Sequence, residues 1–249
     1  MNSPGSFYKS GKIMYLVGLA ELAIYGFFKG DFAMTRPPQS PSFLVQLNPS
    51  LAYISGAFLL VCILLIVINK ERYAAIIAIV ITILLCATSR HVFELWKDSI
   101  NGFKTLWLIG GALLILSSTL DDHRRKQILF YNIIVLFMFF YLCGVAHFQF
   151  GDFVKSLIPA YIPFPAFWTY FAGVCLLAGG VGLLVTKTQR LASLLLAVQI
   201  AGWFILLHIP RALQISGDEW IGVGESLAVS GICLMVYDLV QENQQQSPD

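Results

Sequence analysis

The stretch that decides the fold is YLCGVAHFQFGDFVKSLIPAYIPFPAFWTYFAGVCLLAGGVGLL, residues 141–184. It carries the end of one apolar run and most of the next, joined by an aromatic turn that holds Pro159, Pro163 and Pro165. His147 stands where the first run loses its apolar character, and Gly173, Gly179, Gly180 and Gly182 recur along the second. Apolar runs of about 20 residues match the hydrocarbon thickness of a bilayer. The stretch therefore reads as a spanning helix, a bent loop at the membrane surface, and a second spanning helix with a small-residue face.

Composition extends this reading to the whole chain. Of 249 residues 57% are hydrophobic and 12% are charged, against about 25% charged in a soluble domain. Lipid cannot satisfy backbone donors and acceptors, so each span must bond within itself. The short alternating strands of a barrel are absent from the sequence. The fold class expected is an all-α polytopic membrane protein of about eight spans, near 11–29, 49–69, 72–96, 103–120, 127–147, 165–186, 189–213 and 219–240. Residues 241–249 read as a polar, frayed tail. The first apolar run is long enough to span and has no clear cleavage site, so no signal peptide is expected. The net charge of +2 points to no nucleic-acid partner; the partner expected first is the lipid bilayer. Cys62, Cys86, Cys143, Cys175 and Cys233 lie inside apolar runs with no C-x-x-C. They read as packing residues, and no metal site is expected.

Lys and Arg set the orientation. Nine fall on the side of the N-terminus, Lys70, the Arg124-Arg125-Lys126 cluster and Lys187, against seven on the other. Both termini are expected in the cytoplasm, and the bias sharpens if Arg90 and Arg211 lie inside the bundle. The halves also repeat. GFFKGDF at 26–32 aligns with HFQFGDF at 147–153, an offset of 121. YISG at 53–56 aligns with YFAG at 170–173, an offset of 117 that also matches Lys70 with Lys187 and His91 with His208. Four helices per unit make the repeat parallel, with units at 1–120 and 121–240.

The set Gly144, His147, Phe148, Phe153, Pro159, Tyr161, Pro163, Pro165, Tyr170, Gly173, Gly180, Gly182 and Arg190 resembles the DoxX-like family of four-helix membrane proteins. The likeness covers about 125–213 well. The first half follows it weakly, with Gly26 where the histidine would stand. The resemblance implies two four-helix units in the cell inner membrane. It also implies kinship with small subunits of quinone-linked or thiol-linked redox systems.

Ionisable residues at membrane depth cost about 2.5–3.5 kcal/mol each on insertion scales, so each retained one needs a partner. Glu21, His147, His208, Arg211 and Glu225 are the candidate ligand-binding or proton-relay residues, with Arg90, His91 and Glu94 as secondary candidates. All fall in the outward half of the expected topology. A single polar pocket there is expected, with Glu21 or Glu225 facing Arg211 or a histidine. Blander readings stand beside it. His147 can be a helix-end residue bonded to a loop carbonyl. His208 can satisfy the carbonyl that Pro210 leaves free, and Arg90 with Glu94 can be an interfacial pair. The function that fits is an accessory or quinone-linked subunit beside a redox partner protein. The alternatives are a small-solute or proton-coupled transporter, and a haem- or metal-binding oxidoreductase. Haem is disfavoured because the histidines keep no fixed ligand spacing.

Overall fold

The computed structural model describes residues 5–30, 48–91, 99–215 and 217–246, with the backbone alone at 48, 86–91 and 246. Its elements are α1 (Ser6–Lys29), α2 (Asn48–Val67), α3 (Arg72–His91), α4 (Ser99–Ser117), α5 (Asp122–Gln149), α6 (Gly151–Leu157), α7 (Pro165–Leu184), α8 (Gln189–Trp203), a π-helical turn (Phe204–His208), α9 (Ile209–Ile215) and α10 (Glu219–Gln246). No strand occurs among the described residues. Seven helical segments are long and apolar enough to cross a membrane, and Arg72–Leu85 is a shorter apolar helix. The chain is an all-α, multi-pass membrane protein.

Several helix ends differ from expectation, each with a local cause. α1 starts five residues early because the Asp238 carboxylate, reaching over from α10, accepts the Tyr8 amide at 2.6 Å. That bond satisfies one of the amides a first helical turn leaves open. α5 starts at Asp122 because the Asp121 side chain caps it, accepting the Arg124 amide at 3.0 Å. That bond holds the exposed Asp121 carboxyl below its ordinary range. The expected frayed tail is helical through Gln246. Glu242 pairs with Arg125 at 3.3 Å, and Gln244 donates to the Thr186 carbonyl at 2.7 Å. The loop after α5 contains the short helix α6, in which Asp152 pairs with Lys155 at 2.8 Å. That hydrogen bond lowers the Asp152 carboxyl and raises the Lys155 ammonium from their usual ranges.

Packing runs round a closed circuit. α1 meets α2, α2 meets α3, α3 meets α4, α4 meets α5, α5 meets α7, α7 meets α8, α8 meets α10, and α10 returns to α1; α4 also touches α10 across the middle. α10 is the most enclosed, with 89% of its apolar window buried against 56% for α4. The α1–α10 crossing is antiparallel and rests on glycine. Gly11 and Gly18 of α1 lie on the carbonyls of Gly231 and Gly224, so a Cβ at any of the four would strike the opposing backbone. Small residues let two spans approach this closely, where dispersion between backbones replaces the missing hydrophobic drive.

The same contacts occur twice at the offsets read from the sequence. Phe27 packs on Tyr53 with ring centroids 5.0 Å apart, and Phe148 packs on Tyr170 at 5.7 Å. Gly30 lies against the Tyr53 hydroxyl, and Gly151 against that of Tyr170. Gly56 faces the Ala23 carbonyl, and Gly173 faces the Gly144 carbonyl.

Candidate functional site

The antiparallel crossing puts Glu21, Lys29 and Asp218 at one end of the bundle, and Tyr8 and Asp238 at the other. At the first end Lys104 of α4 donates to Glu225 of α10 at 2.7 Å. Their side chains are 15% and 8% exposed, so the pair is inside the protein. Glu21 of α1 lies against Gly224, the residue before Glu225, and a Cβ there would strike its carboxylate. Glu21 Oε2 and Glu225 Oε1 are buried with no hydrogen-bond partner among the described residues. Cys143 of α5 lies within electrostatic reach of both Lys104 and Glu225. At 1.5 Å per residue, Glu21 sits about 12 Å, Glu225 about 9 Å and Lys104 about 8 Å from the nearer ends of their helices.

The partner of Glu225 is thus Lys104, a residue that sequence reasoning placed among the loop cations. The helix begins at Ser99 and not near residue 103, which puts Lys104 five residues inside α4. Arg211 faces neither candidate glutamate. Its guanidinium forks onto Glu219, with Nε 3.2 Å from Oε2 and Nη2 2.9 Å from Oε1, and Nη1 donates to the Leu157 carbonyl at 3.0 Å. Such forked, charge-assisted bonds are the strong kind. This one clasps α9 and the first turn of α10 to the end of α6.

His147 donates from Nδ1 to the Cys143 carbonyl at 2.7 Å, one turn back in its own helix rather than in the loop. In the neutral ring Nε2 then carries the lone pair. His208 ends the π-helical turn, half-buried. Pro210 has no amide to donate to Leu206, as expected, but the hydroxyl of Tyr161 from the loop satisfies the Leu206 carbonyl. Of the secondary candidates, the side chains of Arg90 and His91 and the whole of Glu94 lie outside the described residues.

The expected single pocket is therefore several separate features. The Glu21–Lys104–Glu225 cluster, the Arg211–Glu219 clasp and the His147–Cys143 bond share one end of the bundle. A groove of about 630 Å³ runs between α7 and α8, lined by Trp168, Phe171, Cys175, Leu195, Gln199 and Trp203 among others, and none of the candidates lines it. Among the described residues no group of three or more His, Cys, Asp or Glu could hold a metal ion.

A family model described as a domain of unknown function, DUF8561, matches residues 136–234. The match takes in His147, His208, Arg211 and Glu225 and leaves Glu21 and Lys104 outside it. No curated protein and no solved structure matches the chain.

Proposed function

We propose that this chain is a DoxX-like protein of two tandem four-helix units, 1–120 and 121–240, with eight spans in all. It lies in the cytoplasmic membrane with both termini on the cytoplasmic side. It works there as an accessory, quinone-linked subunit of a redox system, beside a partner protein that carries the electrons. Support for the repeat comes from the paired contacts. Three contacts recur with one partner displaced by 121 residues and the other by 117. The circuit of helix neighbours also maps onto itself when α1, α2, α3 and α4 are exchanged with α5, α7, α8 and α10. Support for the orientation comes from Lys104 and Arg211. Both are ion-paired inside the bundle, so they leave the count of outward loop cations and the positive bias grows.

The observation that carries the function is the Glu21–Lys104–Glu225 cluster. An ammonium and two carboxylates are kept at membrane depth, where each is costly. At the offset of 121, Glu21 corresponds to Leu142, so the cluster is not duplicated with the fold. Quinone reduction and quinol oxidation exchange protons as well as electrons, and a buried carboxyl beside a lysine–glutamate pair suits that exchange. The test is purification from native membranes, followed by organic extraction, a visible spectrum and identification of co-purifying proteins. A quinone or a redox protein in stoichiometric amount supports the reading. Pure chain with neither, from gently solubilised membranes, refutes it. The unpartnered Glu21 oxygen also favours a second reading, a proton-coupled small-solute transporter. That reading requires pH-dependent uptake into liposomes that Glu21→Gln abolishes.

A further inference from the structure

We infer that the Glu21–Lys104–Glu225 cluster binds one exchangeable proton, seated on Glu21, which reaches the end of the bundle past Tyr25 and Asp218. The inference rests on the cluster being the working site and names its ligand. Charge and space carry it. Lys104 and Glu225 form an ion pair at 2.7 Å and balance each other. Glu21 is left over, with Oε2 buried and unbonded. One more positive charge closes the balance.

Close packing beside the carboxylate suits a proton. The Glu21 carboxylate packs against Gly224, where a Cβ would strike it, and the groove between α7 and α8 is lined by none of the cluster's residues. A proton needs no cavity. The step is simple: an O–H bond forms on the Glu21 carboxylate when a proton arrives, and breaks when it leaves.

A route is laid out on α1. Glu21, Tyr25 and Lys29 follow at i, i+4 and i+8, so they share one face. The Tyr25 hydroxyl donates to Asp218 at 3.1 Å, and Lys29 pairs with the same carboxylate. Asp218 is 46% exposed, so the row ends in water. Glu225 from α10 lies within electrostatic reach of Glu21; Lys104 from α4 pairs with Glu225, Cys143 from α5 lies within reach of that pair, and Tyr25 and Lys29 follow on Glu21's own helix. From α2, Tyr53 lies by Gly30 at the rim.

The test is infrared difference spectroscopy of the full chain in lipid, titrated with acid and base in H2O and D2O. A carboxyl shielded from water absorbs at a higher C=O frequency than one in water, so its band stands apart. The wild type is expected to show one such band, which shifts in D2O and disappears reversibly on alkalinisation. Glu21→Gln is expected to remove it, and Glu21→Asp to move it. Tyr25→Phe is expected to slow its exchange with D2O about 10²-fold, the lower range for a positioned proton donor. No band in the wild type, or a band that survives Glu21→Gln, overturns the proton site; unchanged exchange in Tyr25→Phe overturns the route. The wild-type spectrum decides even if a variant does not fold. It is also independent of co-purification, so loss of the redox reading and loss of the proton site are separate results.

Discussion

Replacing Lys104 with methionine keeps the length of the side chain and removes its charge. Glu225 is then left as a buried carboxylate beside Glu21, with no counter-charge in the cluster. The size of the effect depends on burial. An exposed ion pair is worth about 0–1 kcal/mol, whereas removing one partner of a buried pair costs about 3–5 kcal/mol. With the two side chains 15% and 8% exposed, the second case governs. For a chain of this size about 1 kcal/mol moves Tm by about 2–4 °C, so Lys104→Met is expected to lower Tm by about 6–20 °C. The assay is thermal unfolding in a fixed detergent, run as a double-mutant cycle with Glu225→Gln. Lys104→Met with Glu225→Gln is expected to recover most of the loss, because no orphaned charge remains. A single variant within about 1 kcal/mol of wild type, or a double variant no better than the single, would refute the reasoning.

Two glycines give opposite expectations. At Gly224 a Cβ meets the Glu21 carboxylate and the Gly18 carbonyl, so Gly224→Ala is expected to destabilise by about 1–3 kcal/mol in the same assay. At Gly202 a Cβ meets nothing within 4 Å, so Gly202→Ala is expected to gain up to about 1 kcal/mol through helix propensity alone. Arg211→Met removes the bonds to Glu219 and to the Leu157 carbonyl. It is expected to raise hydrogen exchange across residues 151–164, read by mass spectrometry, with little change at α1. Asp121 has a lowered carboxyl, so its cap is intact above the ordinary value of about 3.9 and is lost as pH falls through the folded value. The Tm difference between wild type and Asp121→Ala is therefore expected to close in that acid range.

Seven of the eight expected spans were legible because lipid demands long apolar runs; the expected span at 72–96 is a shorter apolar helix, Arg72–Leu85, among the described residues. Glu21, Arg211 and Glu225 were legible as expensive residues in the wrong solvent. Their partners were not. Lys104 lies close to a polar link and reads as a loop charge until the register of α4 against α10 is known. Glu219 lies eight residues beyond Arg211, and the two meet because α9 ends and α10 begins between them. The role of Tyr161 depended on where the aromatic loop folds back, which its composition does not state. The simple reading of His147 held in kind, since the ring is tied to a backbone carbonyl, although the carbonyl belongs to its own helix.

The most direct test of the buried cluster is a solid-state NMR distance between Lys104 Nζ and Glu225 Cδ in lipid bilayers, with ¹⁵N-lysine and ¹³C-glutamate labels. The account predicts a strong dipolar coupling that corresponds to direct ion pairing and vanishes in Lys104→Met. A Lys104 signal with no carboxylate coupling, its ammonium turned to the lipid headgroups, would contradict it.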